Sequence, residues 1–203
     1  PLTGYVPTLL QMAYEVPAWL AGVSLVPLVA GVLSANIFST RRLSKHGHYR
    51  HFYLTGLALC LFAMIGIFLF IKPFGVWVEV IGLAIAGLGV GFFGQFTVTL
   101  SQAFSESKFL GSVTSTVIVS RDMASSIVAT FAGGLFGFGV SSALSKLPLP
   151  TNLQGVSLQP SDVAHLAEPL RQQVQQAYVD AFQPIFLNSA VAYLIILVLA
   201  ISL

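Results

Sequence analysis

Residues 110–144 read LGSVTSTVIVSRDMASSIVATFAGGLFGFGVSSAL, a long apolar segment in which Arg121 and Asp122 stand side by side as the only charged residues. A helix needs about 20 predominantly apolar residues to cross the hydrocarbon core of a bilayer. The charged pair therefore lies either on a surface helix of a soluble protein or deep inside a membrane. The composition of the whole chain distinguishes these two possibilities.

The composition predicts an integral membrane protein. The chain of 203 residues is 56% hydrophobic and 8% charged, whereas soluble domains carry about 25% charged residues. So few charges could not cover a soluble fold of this size, and a lipid bilayer is the expected surrounding. The net charge of +2 is too small to indicate a nucleic-acid partner. Cys60 is the single cysteine, which excludes a disulfide framework or a cysteine metal site, and we expect it to be a small core residue.

Five segments are long and apolar enough to cross a membrane as helices. They cover residues 17–39, 51–71, 75–100, 110–144 and 185–203. Residues 1–14 look like the last turns of a sixth helix, so we expect the chain to begin within a span and to be part of a larger polypeptide. The predicted fold is an all-α integral membrane bundle with five complete spans and the end of a sixth.

The loops predict how the bundle is oriented. Loop 40–50 is rich in basic residues, and the positive-inside rule places such a loop in the cytoplasm. Its basic residues are Arg41, Arg42, Lys45 and Arg50. Alternation of the spans then places the long hydrophilic segment 145–184 outside. The second half of this segment, from Ser161 as a candidate N-cap to Phe182, predicts a helix that either rests on the membrane surface or binds a partner.

A helical wheel of segment 110–144 separates a polar face from an apolar one. The polar face holds Thr114, Ser115, Arg121, Asp122, Ser125 and Ser126. Arg121 lies about 16 Å along the helix axis from Leu110, and charges at such a depth usually face a protein interior or a wet cavity. We expect this face, with Thr114 and Ser125 as lining residues, to border a path or an interhelical cleft, or else to hold two helices together. Neighbouring residues diverge by about 100° on a helix, so Asp122 is free to have a partner other than Arg121.

Glu79 is a second candidate for a functional charge. It lies near the start of segment 75–100, where its carboxylate either reaches water at the outer end of the helix or faces a cavity. Thr97 and Ser101 share its helical face, and Gly94 lies nearby. If this face lines a cavity, Glu79 is a candidate to bind a proton, with the other three residues lining the cavity.

Glycine and histidine motifs each have two interpretations. Gly89, Gly91 and Gly94 match the pattern G-x-G-x-x-G, but they lie inside an apolar run, which favours close helix packing or helix bending over nucleotide binding. Further small-residue pairs are Gly87 with Gly91 and Gly133 with Gly137.

The histidines His46, His48 and His51 lack an accompanying carboxylate or cysteine, which favours an interfacial loop over a metal site. The spans offer no nucleophile–base arrangement that would indicate an enzyme. We therefore expect no metal, no cofactor and no enzymatic activity.

Several stretches resemble the second half of major facilitator superfamily transporters. In the loop LSKHGHYR, residues 43–50, the positions Leu43, Gly47 and Arg50 match the pattern of a basic loop between two helices of that family. Three stretches resemble its 14-helix drug/proton antiporter branch, and Arg121 matches an arginine that is common there. They are GLGVGFFGQFTVTLSQAF (87–104), LGSVTSTVIVSRDMASSI (110–127) and LRQQVQQAYVDAFQPIFLNSAVAYLIILVLA (170–200).

The resemblance implies a major facilitator-like half, the C-terminal bundle of an exporter in the plasma membrane, here the bacterial inner membrane. Such an exporter exchanges drugs or other amphipathic small molecules for protons by alternating access. Its partner would be the N-terminal bundle of the same protein, and Arg121, Asp122 and Glu79 are the candidates for proton coupling or gating. The alternatives are a non-transporting membrane scaffold or sensor, and a facilitator-type exporter of a lipid or metabolite.

The orientation predicts opposite accessibility for two introduced cysteines. Ser44→Cys, in the basic loop, should react with a membrane-impermeant maleimide only from the cytoplasmic side, whereas Gln159→Cys should react only from outside. Labelling of intact cells and of inverted membrane vesicles measures both. Reaction of Ser44→Cys in intact cells would reverse the orientation.

Overall fold

The computed structural model describes residues 2–46, 49–145, 147 and 168–202, and these residues are almost entirely helical. A 3₁₀ turn at Ser107–Phe109 precedes the sixth helix. The α-helices of the described ranges are α1 Leu2–Tyr14, α2 Ala18–Val23, α3 Val26–His46, α4 Tyr49–Phe74, α5 Val76–Ala103, α6 Leu110–Leu144 and α7 Leu170–Ser202.

Five helical segments are long and apolar enough to cross a membrane, which confirms the all-α architecture with five such elements. They are Ala18–Ser39, Arg50–Ile71, Val76–Ala103, Ser107–Leu144 and Leu170–Ser202. Large apolar side chains such as Leu33, Phe62 and Phe131 are exposed on the outside of the bundle. Extensive exposed apolar surface of this kind is expected where a protein meets lipid rather than water.

The last helix begins earlier than the sequence indicated. α7 starts at Leu170 and continues through Pro184 to Ser202, so residues 170–184 are the first turns of the span and not a separate helix on the membrane surface. Buried Phe182 and Phe186 on either side of the proline anchor this region in the core. The glutamines and the aspartate of these turns lie largely on the exposed side of the helix. They lower the mean hydropathy of this stretch, which is why its sequence is typical of a surface helix. The beginning of the predicted outer helix, residues 161–167, lies outside the described residues.

The span Ala18–Ser39 is interrupted between α2 and α3. Proline has no N–H to donate, and its ring collides with the carbonyl four residues earlier, so Pro27 accounts for the turn at Ser24 and Leu25. The Ser24 hydroxyl donates to the Ala21 carbonyl at 2.6 Å, and the Ser24 amide donates to the Leu20 carbonyl at 3.0 Å. The polar groups at the break are therefore satisfied within the chain.

Glycines allow α5 to lie between α3 and α4. A Cβ atom added to Gly89 would lie 2.6 Å from the Gly56 carbonyl oxygen of α4, and one added to Gly91 would lie 2.6 Å from the Val32 carbonyl oxygen of α3. No side chain fits at such distances, so these two glycines serve close helix packing, as predicted. Gly94, by contrast, has open space where a Cβ atom would be.

The second predicted small-residue pair does not form a close contact at Gly137, because a Cβ atom added there would meet open space. α6 approaches α7 at Gly139 instead, where an added Cβ atom would lie 3.3 Å from Ala181 Cβ. The two glycines are about 200° apart on the helix, so the helix presents one of them to α7 and turns the other away.

Two glycines of α5 should respond differently to the same substitution. Gly91→Val forces a side chain against the backbone of α3 and should destabilise the bundle by about 1–3 kcal/mol or more. Gly94→Val is the matched control on the same helix and should leave stability nearly unchanged. The midpoint of thermal unfolding in detergent measures both, and equal midpoints for the two variants would contradict the packing described here.

Candidate functional site

Glu79 lies in the first turn of α5 and is fully buried, so its carboxylate does not reach water at the helix end. Neither of its carboxyl oxygens has a hydrogen-bond partner. Leu83, one turn further along the same face, packs in a cluster with Val6 and Leu10 of α1. The Glu79 carboxyl group is therefore buried in the region where α5 packs against α1.

The turn between α4 and α5 brings Tyr14 to this carboxyl group. Gly75 has a φ of 58°, a conformation that glycine adopts without a steric penalty. The Tyr14 ring packs on Gly75, and its hydroxyl donates to the Ile71 carbonyl at 3.0 Å. Tyr14 lies close enough to Glu79 for the two groups to interact electrostatically. No sequence pattern identified Tyr14, because its proximity to Glu79 depends on how α1 packs on this turn.

The surroundings of Glu79 determine its chemistry. A carboxylate that is buried without hydrogen-bond donors is unfavourable, and binding a proton or a cation relieves that cost. In the described part of the chain no basic side chain forms an ion pair with it. Glu79 therefore remains a candidate to bind a proton.

Arg121 and Asp122 lie near the middle of α6 and are exposed, with 61% and 67% of their side-chain surfaces accessible. Arg121 Nε lies 3.5 Å from Asp122 Oδ1, so the long arginine side chain reaches its neighbour despite their divergence on the helix. No other helix of the described residues supplies a charge to this pair. The pair therefore faces whatever surrounds the bundle on this side.

α6 packs against the bundle mainly near its two ends. Near its start, Gln102 Nε2 of α5 donates to Thr114 Oγ1 at 2.8 Å. Near its end, the Phe136 ring lies 4.3 Å from the Phe182 ring of α7. Residues 118–128 between these contacts are all exposed. The predicted polar face is thus open along the middle of the helix, with Thr114 at its packed end.

Five of the hydroxyl groups of α6 are satisfied by the helix itself. Each donates to the carbonyl four residues earlier, an arrangement that makes serine and threonine tolerable in apolar surroundings. The residues concerned are Thr114, Ser115, Thr116, Ser126 and Thr130. The charges of Arg121 and Asp122 cannot be satisfied in this way, and Ser125 is exposed beside them. The charge pair is therefore the feature of α6 that requires a polar environment.

Gly94, Thr97 and Ser101 do not join Glu79 in one site. They lie in the second half of the 28-residue helix α5, and Ser101 is about 33 Å from Glu79 along the axis. Thr97 donates to the Phe93 carbonyl at 3.4 Å, and Ser101 donates to the Thr97 carbonyl at 2.9 Å. Ser101 instead adjoins Gln102, the residue that binds Thr114 of α6. The shared helical face is not sufficient to place these residues in one cavity with Glu79.

Polar contacts at both ends tie α7 to the rest of the bundle. At its start, Arg171 forms a bidentate ion pair with Glu15, and Gln175 Nε2 donates to Glu15 Oε1 at 2.8 Å. At its other end, Arg50 Nη2 of α4 donates to the Ile201 carbonyl at 2.7 Å, and a cation is favourable near a helix C-terminus. The structure thus gives Arg50 a packing contact, whereas Gly47, the other candidate of the loop motif, lies outside the described residues.

A cleft of about 390 Å³ lies between α6 and α7. Its walls are formed by Val128, Phe131, Ala132, Leu135, Ile185, Asn188, Ser189, Ala192, Tyr193 and Ile196. Tyr193 extends from the cleft into the bundle, where its hydroxyl shares a hydrogen bond with Cys60 and its ring packs 6.4 Å from that of Phe93. The sequence analysis missed this cleft, although Asn188 is an unusual residue for the middle of an apolar span.

Comparison with known proteins adds no relative, since no family model, no curated protein and no solved structure matches this chain.

Glu79 should react with dicyclohexylcarbodiimide, an apolar reagent that modifies protonated carboxyl groups in apolar surroundings. Mass spectrometry of peptides from labelled membranes locates the adduct. Glu79→Gln should remove it, whereas Glu106→Gln should leave it unchanged. Glu106 is a suitable control because it is exposed and pairs with Lys108 at 2.7 Å. An unmodified Glu79 peptide from wild-type membranes would contradict the enclosed, proton-binding carboxyl group.

Proposed function

We propose that this chain is one helical bundle of a secondary active transporter that exports drugs or other amphipathic small molecules in exchange for protons. The bundle works against a second bundle by alternating access, in a bacterial inner membrane, with loop 40–50 cytoplasmic and segment 145–184 outside. The chain is the C-terminal bundle of a protein of the major facilitator type, and the second bundle is the N-terminal half of the same protein.

The burial of the Glu79 carboxyl group without a hydrogen-bond partner is the main observation in support of this proposal. A fully buried carboxyl group without partners would be a liability in a scaffold, where an apolar residue of similar size would pack at least as well. In a proton-coupled transporter the same group is useful, because its proton affinity changes when the site alternates between enclosed and wet. Its position, where α1 meets the α4–α5 turn, lets a small movement of α1 change that environment.

The charge pair on α6 supports a second bundle as partner. Arg121 and Asp122 are exposed in a helix that is long and apolar enough to span, and charges at such depth are costly in contact with lipid. A facing bundle or a water-filled cavity between two bundles removes that cost. An arginine side chain carries a fixed positive charge, so the role of Arg121 is electrostatic: it stabilises a carboxylate, either Asp122 or one that the second bundle supplies.

The contacts of α7 support motion of the bundle as a unit. The Glu15–Arg171 ion pair and the Arg50–Ile201 hydrogen bond join helices that are far apart in sequence at the two ends of α7. Together with the close backbone contacts of α5, they hold α1, α3, α4, α5 and α7 in one arrangement. Alternating access by rocking requires such coherence within each bundle.

Inverted membrane vesicles that contain the full-length protein test the proposal. An inwardly acidic gradient should drive accumulation of ethidium, a cationic amphipathic dye, and the uncoupler nigericin should abolish it. Glu79→Gln should abolish gradient-driven accumulation but retain ethidium binding, because the amide preserves size and removes the titrating group. Glu106→Gln should transport normally.

Arg121 provides the second arm of this experiment. Arg121→Ala should stop transport and change its dependence on pH, because a carboxylate then lacks its cation, and Arg121→Lys should recover part of the activity. Entry of ethidium that stops at equal concentrations and does not depend on the gradient would replace the antiporter with a facilitator. Normal gradient-driven transport by Glu79→Gln would remove Glu79 from coupling.

A further inference from the structure

The cleft between α6 and α7 contains a polar side chain that the helices do not satisfy. Of its three polar residues, Ser189 donates its hydroxyl to the Ile185 carbonyl at 2.8 Å, and the Tyr193 hydroxyl shares a hydrogen bond with Cys60. Asn188 is exposed, and within the described ranges its side-chain amide forms no hydrogen bond. The cleft therefore presents one free amide, with a donor and an acceptor, among apolar walls.

Asn188 lies near the middle of the 33-residue helix α7, about 27 Å from Leu170 and about 21 Å from Ser202 along the axis. The helix is about 50 Å long and the hydrocarbon core of a bilayer about 30 Å, and exposed Asp180 lies about 12 Å before Asn188, so Asn188 lies roughly two turns beyond the polar start of the helix. Polar side chains within apolar spans gain stability when they find a hydrogen-bond partner there. The amide of Asn188 is therefore available to a partner that enters the cleft.

We propose that the cleft binds a neutral, mainly apolar small molecule with a single carbonyl or hydroxyl group, which hydrogen-bonds to Asn188. Phe131, Leu135 and Ile196 provide apolar contacts for the body of the ligand. The volume of about 390 Å³ is near the lower end of the roughly 300–1,000 Å³ of small-molecule pockets. A compact ring system fits this space, whereas the two acyl chains of a phospholipid are too large for it.

The charges nearby favour a neutral ligand over an ionic one. Val128, at the edge of the cleft, lies about 10 Å along α6 from Arg121. Arg121 is paired with Asp122 at 3.5 Å, so the two charges largely cancel at that distance. The cleft offers no counter-charge to an ion, and burying an ion there would carry a large desolvation cost.

Nile red is a suitable probe because it is neutral and apolar, carries a carbonyl acceptor and changes its emission with the polarity of its surroundings. The full-length protein is reconstituted into lipid nanodiscs, and empty nanodiscs give the signal of dye dissolved in lipid. The wild-type protein should add a saturable component with an emission shifted by the hydrogen bond to Asn188. The experiment needs no proton gradient, so its outcome is independent of the transport proposal.

Neighbouring residues of α7 provide a matched pair of variants. Ala192 lines the cleft, and Ala192→Phe should fill it and abolish saturable binding. Val191 is exposed and does not line the cleft, so Val191→Phe should bind like the wild type. Asn188→Leu keeps the side-chain volume but removes the amide, which should weaken binding about three- to tenfold and remove the emission shift.

Two results would overturn the proposal. One is equal saturable binding by Ala192→Phe and the wild type, with Ala192→Phe as thermally stable as Val191→Phe. The other is an absence of saturable binding in the wild type, whether a retained phospholipid occupies the cleft or a second bundle covers it. Binding by Asn188→Leu with wild-type affinity and emission would exclude the amide as the recognition group.

Discussion

The close approach of backbones around α5 is the constraint on which the rest of the bundle depends. Helices in a bilayer gain little from burying apolar side chains against each other, because lipid tails are equally apolar, so backbone proximity and dense packing decide their association. Gly89 and Gly91 bring α4 and α3 within direct contact of α5 on two sides. Glu79 is held in the same helix, and its burial follows from the tight placement of α5 rather than from any polar interaction of its own.

The packing is unevenly distributed, and the polar residues follow that distribution. α5 is enclosed by α3, α4 and, near its start, α1, whereas α6 is exposed along residues 118–128. The charge pair Arg121 and Asp122 lies in this open region, and five hydroxyls of α6 donate to carbonyls of their own helix. Among the described residues, the fully buried carboxyl group of Glu79 lies at a packed helix junction, and the charges in the middle of α6 lie on an open face. In the transport proposal, this open face is the one that meets the second bundle.

The sequence predicted the helical elements well because hydropathy and length are local properties. It also predicted close packing at Gly91, since small residues at regular spacing have few other uses in an apolar helix. The sequence alone could not decide whether the Glu79 side chain faces water or the protein interior. A helical wheel gives the direction of a side chain but not the residues that lie opposite it. Gly137 shows the same limit: the small-residue pattern is present, but α7 meets Gly139 instead.

Two further differences have physical causes that a sequence pattern does not contain. The first turns of α7 resemble a surface helix because their glutamines point outward, while Val174 and Tyr178 are buried on the other side. The contact between Arg121 and Asp122 arises because the arginine side chain is long enough to bend back toward its neighbour. In both cases the sequence predicted a helical backbone, whereas the surroundings of the side chains depend on tertiary packing.

The described contacts also offer a physical connection between Glu79 and α6. Tyr14 interacts with Glu79 and is followed directly by Glu15, whose ion pair with Arg171 holds the start of α7. α7 in turn packs on α6 through Phe182 and Phe136. Contiguity alone does not establish coupling, which needs an element with two arrangements that both sites bias. The Glu15–Arg171 pair is suited to be that element, because a partly exposed ion pair is worth little free energy and can open when α1 moves. In the transport proposal, release of the proton from Glu79 and movement of the charge pair on α6 are then two consequences of one displacement of α1.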